Sequence, residues 1–131
     1  MSPARRILIA ESDVALLAKL EAEARSEGYS VVTTSEGSQV IACAVAHTPE
    51  LILLDIAYDD ADGRDLLAQL KRDPRTTGIP VVVWSARDYD SDRRIALELG
   101  AEEYLRKSDS AMLLPRIARV LLRVRQRHDN D

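Results

Sequence analysis

The chain has few of the residue types that mark secreted or membrane proteins. Cys43 is the only cysteine, so no internal disulfide is possible and a reducing cytoplasm is the expected setting. No apolar run approaches the length of a membrane span, and residues 1–6 lead straight into strand-like residues rather than a signal-peptide core. Internal repeats, low-complexity segments and a glycine-rich dinucleotide fingerprint are also absent from the sequence. We therefore expect a cytoplasmic protein that does not associate with membranes.

Charge is unevenly distributed along the 131 residues. The net charge is −4, but residues 106–131 contain seven basic and three acidic side chains and so carry +4. The first 105 residues therefore carry −8. An acidic body of this kind argues against direct nucleic-acid binding. The length suits one domain, expected over residues 1–127 and followed by a short disordered tail at 128–131.

Five short apolar segments alternate with five helical patterns. The strand-like segments are 6–10, 29–34, 51–54, 80–84 and 103–106. Ser12 or Asp13 is the expected cap of the first helix, while Pro115 makes the last helix either start near Leu114 or bend in its first turns. Strands that alternate with helices at this spacing predict an α/β fold, with a parallel sheet covered by helices on both faces.

Polar side chains follow three of these strands. Asp55 ends the apolar run Leu51–Leu54, Glu11 and its neighbours follow the first strand, and Lys107 follows the fifth. Open parallel sheets bind their ligands at the carboxyl ends of the strands, so we expect these groups to converge there. Carboxylates, a hydroxyl residue and one lysine in such a place suggest a divalent metal and phosphoryl chemistry.

Taken in order, these segments resemble a bacterial response-regulator receiver domain of the chemotaxis-receiver type. The resemblance extends from about Arg5 to Arg125 and rests on residues 7–13, 53–55 with 62–63, 80–86, and 100–107. It implies a flavodoxin-like, doubly wound (βα)5 fold with a five-stranded parallel sheet of order 2-1-3-4-5. It also implies a non-enzymatic signalling protein of a two-component system. Its partners would be a sensor histidine kinase or phosphotransfer protein and a downstream effector protein or domain.

The same resemblance assigns roles to single residues. Asp55 matches the phosphoacceptor, whose carboxylate takes up the phosphoryl group as an acyl phosphate. Lys107 matches the lysine that contacts the phosphoryl oxygens. Ser85 matches the switch hydroxyl, and Tyr104 matches the aromatic residue that turns inward as the switch loop moves. Taken alone, Ser85 could equally be a plain turn hydroxyl. Tyr104 is more simply a packing residue, and Trp84 is most simply a core residue.

The magnesium site implied by the resemblance departs from the family pattern. Family members carry two adjacent acids after the first strand, whereas this chain has Glu11 followed by Ser12. Glu11, Asp55 and the backbone carbonyl of Ala57 remain as Mg²⁺ ligands, with Ser12 as a weakened ligand position. We expect a weaker metal site. Glu11, one methylene longer than aspartate, and Asp13 are the candidates to replace the missing acid, although helix geometry should turn Asp13 outward.

Two prolines common in the family are also replaced. Ser108 follows Lys107 where the family has a proline after a cis peptide bond, which is costly for other residues, so we expect Lys107 to sit differently. Asp59 stands in an acidic loop where another proline is common. Three functions remain open: a phosphorylatable receiver, a pseudo-receiver that binds proteins without phosphorylation, and an aspartate-nucleophile phosphatase. The last requires a second aspartate where this chain has Ala57.

A partner surface is predicted on the face made by the fourth helix, the fifth strand and the last helix. Many receivers form dimers through this face by means of opposite charges, so a homodimer is one expected partner. The acidic side is Asp92, Glu98, Glu102 and Glu103, and the basic side is Arg116, Arg119, Arg123, Arg125 and Arg127.

Overall fold

Five strands and five helices alternate along the chain in the computed structural model, which describes residues 4–57, 62–86 and 90–130. The elements are β1 Arg6–Ala10, α1 Val14–Ser26, β2 Ser30–Thr34, α2 Val40–His47, β3 Leu51–Asp55, α3 Gly63–Arg72, β4 Val81–Ser85, α4 Asp90–Glu98, β5 Glu103–Arg106 and α5 Leu113–Asp129. All strand pairs are parallel, in the order β2-β1-β3-β4-β5. The predicted flavodoxin-like architecture is therefore confirmed.

Both faces of the central strands are buried, as their continuous apolar runs predicted. Residues 51–54 of β3 are at most 1% exposed. Because successive side chains of a strand point to opposite faces, Leu51 and Leu53 contribute to a core with α1 and α5. Ile52 and Leu54 contribute to a second core with α2, α3 and α4. This division decides which side chains can meet at the end of each strand.

Local chemistry sets the helix boundaries. The carboxylate of Asp13, rather than Ser12, caps α1 by accepting a hydrogen bond of 3.1 Å from the amide of Leu16. A 3₁₀ segment, Lys107–Met112, leads into α5, whose first residue is Leu113. Pro115 therefore lies in the first turn, where its missing N–H leaves no intrahelical hydrogen bond unmade.

Helix α5 extends further than the sequence suggested. It ends at Asp129, so His128 and Asp129 are helical although a disordered tail was expected over 128–131. Across residues 4–57, 62–86 and 90–130, no helix combines the length and apolar character needed to cross a bilayer. Asp59 and Asp60 of the predicted acidic loop fall outside the described residues.

Candidate functional site

Strand alternation brings the predicted polar residues to one face of the sheet. Ile9 of β1 and Leu53 of β3 are in register and face the α1–α5 core. Two residues further along each chain, Glu11 and Asp55 point to the same side at the carboxyl edge. Lys107 has the same relation to Leu105 of β5, which also faces that core. The two-residue period of the strands therefore brings these three side chains together in one pocket.

Lys107 lies between the two carboxylates. Its Nζ is 2.8 Å from Oε1 of Glu11 and 3.3 Å from Oδ2 of Asp55. Glu11 and Asp55 are both 0% exposed, whereas the lysine side chain retains 21% of its exposure. One ammonium group at the rim therefore faces two buried carboxylates.

Asp55 is surrounded by donors that favour its ionised form. The hydroxyl of Ser12 donates to Oδ2 at 2.8 Å, the Ser12 amide donates to the same oxygen at 3.3 Å, and the Ala57 amide donates to Oδ1 at 3.0 Å. Burial by itself raises the pKa of Asp55, but the hydrogen bonds from Ala57 and Ser12, together with the charge of Lys107, outweigh it. The net result is a lowered pKa, so Asp55 is an anion at neutral pH.

Glu11 has its two oxygens held by four groups. Oε1 accepts from the indole Nε1 of Trp84 at 3.0 Å and from Lys107, while Oε2 accepts from the Asp13 amide at 2.9 Å and the Ser12 hydroxyl at 3.4 Å. Burial, followed by the proximity of Asp55, raises the pKa of Glu11 despite these donors. A second full negative charge is therefore costly in this pocket.

The indole of Trp84 belongs to this site, although the sequence was interpreted as placing it only in the core. Trp84 is in register with Asp55 of β3 and with Leu105 of β5. Strand parity places its side chain on the face that carries Glu11 and Lys107. The alternation of side chains along β4, taken together with the strand order, could have predicted this contact.

Lys107 reaches the site although Ser108 follows it in place of proline. No cis peptide bond occurs among the described residues. Burial works against the charged form of Lys107, but Glu11 and Asp55 more than offset this and raise its pKa. The lysine therefore stays a cation at neutral pH, and the changed position expected from Ser108 does not take it away from either carboxylate.

The predicted switch residues lie on the other face of the sheet. Tyr104 is 4% exposed, pairs with Val83 and belongs to the core with α3 and α4. Ser85 ends β4, is 0% exposed and shares the strand face of Val83 by alternation. Tyr104 is thus buried, on the strand next to the one that ends in Ser85.

The chain folds back tightly after Asp55. Ala57 forms an antiparallel bridge with Asp62, and the Gly63 amide donates to the carbonyl of Ile56 at 3.3 Å. A Cβ atom at position 63 would lie 2.2 Å from the Cα of Ile56, so only glycine allows this approach. Gly63 therefore fixes the backbone at Ala57, which the resemblance assigns to the metal site.

A five-stranded doubly wound sheet with an acidic pocket and a lysine at its carboxyl edge defines the receiver class of signalling proteins. The family model for the response regulator receiver domain matches residues 7–118. The chain belongs to this family.

Curated relatives agree with the family assignment. Response regulator PleD of Caulobacter vibrioides is 39% identical over 113 residues, which cover 86% of this chain and 25% of PleD. Transcriptional regulatory protein PrrA of Mycobacterium tuberculosis is 34% identical over 122 residues, covering 93% of this chain and 51% of PrrA. The chain thus spans only a quarter to about half of the length of these relatives.

Solved structures agree with the fold. The BeF3-activated N-terminal receiver domain of Klebsiella pneumoniae RstA has a TM-score of 0.81 and 27% identity, and the match covers 89% of this chain and 98% of that one. A CheY-like receiver domain protein from Methanospirillum hungatei has a TM-score of 0.87 and 24% identity, with coverages of 95% and 98%.

The oxygen ligands of the pocket are of the type that a hard divalent cation prefers, but they include one carboxylate fewer than the family pattern. Carboxylate and carbonyl oxygens suit magnesium, and Glu11, Asp55 and the Ala57 carbonyl are the groups that would hold it. With both carboxylates ionised, Lys107 leaves one negative charge uncompensated, and the pKa of Glu11 is raised, first by burial and then by the proximity of Asp55. In the described part of the chain no three His, Cys, Asp or Glu side chains cluster, since Ser12 replaces the second acid.

Proposed function

We propose that this receiver domain accepts a phosphoryl group on Asp55 from a sensor histidine kinase or phosphotransfer protein in the cytoplasm. The observation that supports this most is the Asp55 carboxylate, which is buried, held as an anion and 3.3 Å from the Lys107 ammonium. A nucleophilic carboxylate next to a fixed positive charge is what acyl-phosphate formation requires. In this proposal the domain is a signalling module with no substrate turnover of its own.

Each residue of the pocket has a defined part in the transfer. An oxygen of Asp55 forms the new P–O bond as the P–N bond of the partner's phosphohistidine breaks. After the transfer, Lys107 would lie between Glu11 and the phosphoryl oxygens as a compact positive charge. When bound, magnesium would reduce the repulsion between the phosphoryl group and the acids. Since Asp55 has no exposed surface, Ser12 and Lys107 must yield space before the donor can reach it.

Phosphorylation would then be communicated through β4 and β5. The Ser85 hydroxyl would donate to the phosphoryl group and draw the end of β4 towards Asp55. Tyr104, already 4% exposed, would be retained in its inward position by that movement. Two packed arrangements of this region, biased by one charge change, would form the switch.

The output surface proposed is the α4–β5–α5 face, which would bind an effector protein or domain or a second copy of the chain. Part of its charge is already used within one chain, since Glu102 pairs with Arg127 at 2.7 Å and with Arg123 at 3.4 Å. Glu103 pairs with Arg116 at 3.7 Å. Size-exclusion chromatography with scattering detection tests the homodimer, which is refuted if the protein stays monomeric at high concentration.

The direct test follows Trp84 fluorescence during addition of magnesium and then of beryllofluoride, a phosphoryl mimic. A saturable response that is lost in Asp55→Asn is expected. In parallel, incubation with a small phosphoryl donor should add the mass of one phosphoryl group to the unmodified protein and none to Asp55→Asn. The absence of both changes at millimolar magnesium would contradict the proposal and favour the pseudo-receiver.

A further inference from the structure

A buried contact in the pocket has no part in the roles described so far. The indole Nε1 of Trp84 donates to Oε1 of Glu11 at 3.0 Å, and the two residues are 1% and 0% exposed. Any buried indole N–H requires an acceptor, so the contact by itself satisfies Trp84. The identity of the acceptor is informative, because Glu11 is one of the two carboxylates that Lys107 contacts.

The donors around Glu11 differ in how firmly they are fixed. Lys107, Ser12 and the Asp13 amide lie beyond the ends of β5 and β1. Lys107 and Ser12 also contact Asp55, so any change at Asp55 affects them as well. The indole N–H of Trp84 donates to Glu11, and among the described residues it forms no hydrogen bond with Asp55; its ring lies within the α1–α5 core. It is the donor to Glu11 that is anchored by packing.

We propose that Trp84 is a positioning residue that holds the Glu11 carboxylate against Lys107 and Asp55 and thereby sets the affinity of the pocket for magnesium. The inference rests on the proposed function in that it takes Glu11 as a metal ligand. Hydrogen bonds from neighbouring groups orient metal-binding carboxylates, and their loss commonly weakens metal binding by about 10-fold to 100-fold. In this chain such an orienting group compensates in part for the neutral Ser12.

The composition of the chain makes a spectroscopic test simple. Trp84 is the only tryptophan, so the indole N–H gives a single cross-peak in a ¹H–¹⁵N spectrum. Magnesium titration should shift this peak along the same binding curve as the backbone amides of Ser12 and Ala57. In Glu11→Gln the indole peak should lie elsewhere even without metal. An indole peak that stays in place while the Ser12 and Ala57 amides shift would overturn the inference.

Substitutions test the affinity itself. Trp84→Phe keeps an aromatic ring without the donor, and we expect its magnesium dissociation constant, measured by calorimetry, to rise about tenfold. Because Trp84→Phe also removes volume, the second variant is uniform replacement of tryptophan by benzothienylalanine, which has sulfur in place of the N–H. This isostere should show the same loss of affinity with an unchanged melting temperature. Wild-type magnesium affinity in the isostere, or no magnesium binding by the unmodified protein, overturns the inference.

The two proposals fail in different ways. Uptake of a phosphoryl group on Asp55 tests the proposed function and is read from the mass of the protein. If the isostere binds magnesium more weakly, but the unmodified protein neither takes up a phosphoryl group on Asp55 nor responds to beryllofluoride, the role of Trp84 stands and the proposed function is refuted. If Asp55 is phosphorylated and the isostere retains full magnesium affinity, only the role of Trp84 is refuted.

Discussion

The hydroxyl of Ser12 donates a hydrogen bond of 2.8 Å to Oδ2 of Asp55. Ser12 stands where the family carries its second acid, so a donor replaces what would be a second acceptor beside Asp55. The metal-free pocket gains a hydrogen bond and avoids a third buried negative charge. The same exchange removes one anionic ligand from the proposed magnesium site. Stability without metal and affinity for metal are therefore opposed at this position.

Ser12→Asp should raise the affinity for magnesium and lower the stability of the metal-free protein. We expect magnesium affinity to rise by about tenfold or more, because the number of charged ligands tunes divalent-cation affinity. Without metal, the free energy of unfolding should fall by about 1–3 kcal/mol, since Asp55 loses a donor and gains a like charge. Calorimetric titration and urea denaturation measure the two effects.

Ser12→Asn is the matched control for that substitution. It has nearly the same shape as Asp but no charge, so its magnesium affinity should stay close to that of the wild type. If Asn and Asp raise the affinity equally, side-chain size rather than charge governs the site, and the electrostatic account of position 12 is wrong.

Lys107→Met should destabilise the fold markedly. The substitution keeps most of the aliphatic stem but removes the cation shared by Glu11 and Asp55, leaving two buried carboxylates without it. Breaking a buried ion pair from one side costs about 3–5 kcal/mol, and the partial exposure of Lys107 puts the expected loss near the lower value. Urea denaturation at neutral pH measures it.

Two further variants show whether the loss arises from charge. Adding Glu11→Gln to Lys107→Met should recover part of the stability, since the uncompensated charge is then smaller. Lys19→Met removes a lysine whose side chain is 67% exposed, and it should change stability by no more than about 0.5 kcal/mol. Strict additivity of Glu11→Gln and Lys107→Met would show that the two side chains are energetically independent.

Much of this site could be predicted because its residues lie at the ends of strands. Apolar runs located the strands, and parallel pairing required that residues after β1, β3 and β5 share one edge. Glu11, Asp55 and Lys107 could therefore be grouped without knowing a distance. The same reasoning applies to Trp84. Its contact with Glu11 can be predicted only by combining the face of β4 on which the side chain lies with the register that pairs Trp84 with Asp55.

Other features depended on geometry that the residue pattern does not encode. Pro115 allowed two starts for α5, and the choice depended on the 3₁₀ segment that precedes Leu113. A polar run such as 126–131 shows no apolar periodicity, so the residue pattern could not indicate that α5 continues to Asp129. The charges of α5 were predicted to meet a partner, whereas Arg123 and Arg127 already pair with Glu102 within the chain.

Gly63→Ala should be poorly tolerated, whereas Gly78→Ala should be nearly neutral. An added Cβ at position 63 would lie 2.2 Å from the backbone of Ile56, while at position 78 nothing lies within 4 Å. Overpacking of this kind costs about 1–3 kcal/mol, and an unstrained glycine-to-alanine change stabilises by up to about 1 kcal/mol. Thermal denaturation of both variants compares the positions. Equal behaviour would show that the turn after Asp55 accommodates a side chain.

Glu102 should make the stability of the fold depend on acid pH. Its hydrogen bond to Arg127, only partly offset by burial, lowers the pKa of Glu102 from the ordinary value of 4.5. As the pH falls, the unfolded chain therefore takes up this proton before the folded one. The contribution of ionised Glu102 is present above the unfolded pKa and is lost as the pH falls through the folded pKa.

Glu102→Gln removes that contribution at neutral pH, where the free energy of unfolding should fall by up to about 1 kcal/mol, a modest amount because Arg127 is 54% exposed. The difference between wild type and Glu102→Gln should shrink as the pH is lowered from about 5 to about 3. Urea denaturation across this range measures it, with Glu98→Gln, a change at an exposed residue of α4, as the control. A difference that is constant with pH would mean that Glu102 acts through packing rather than through its charge.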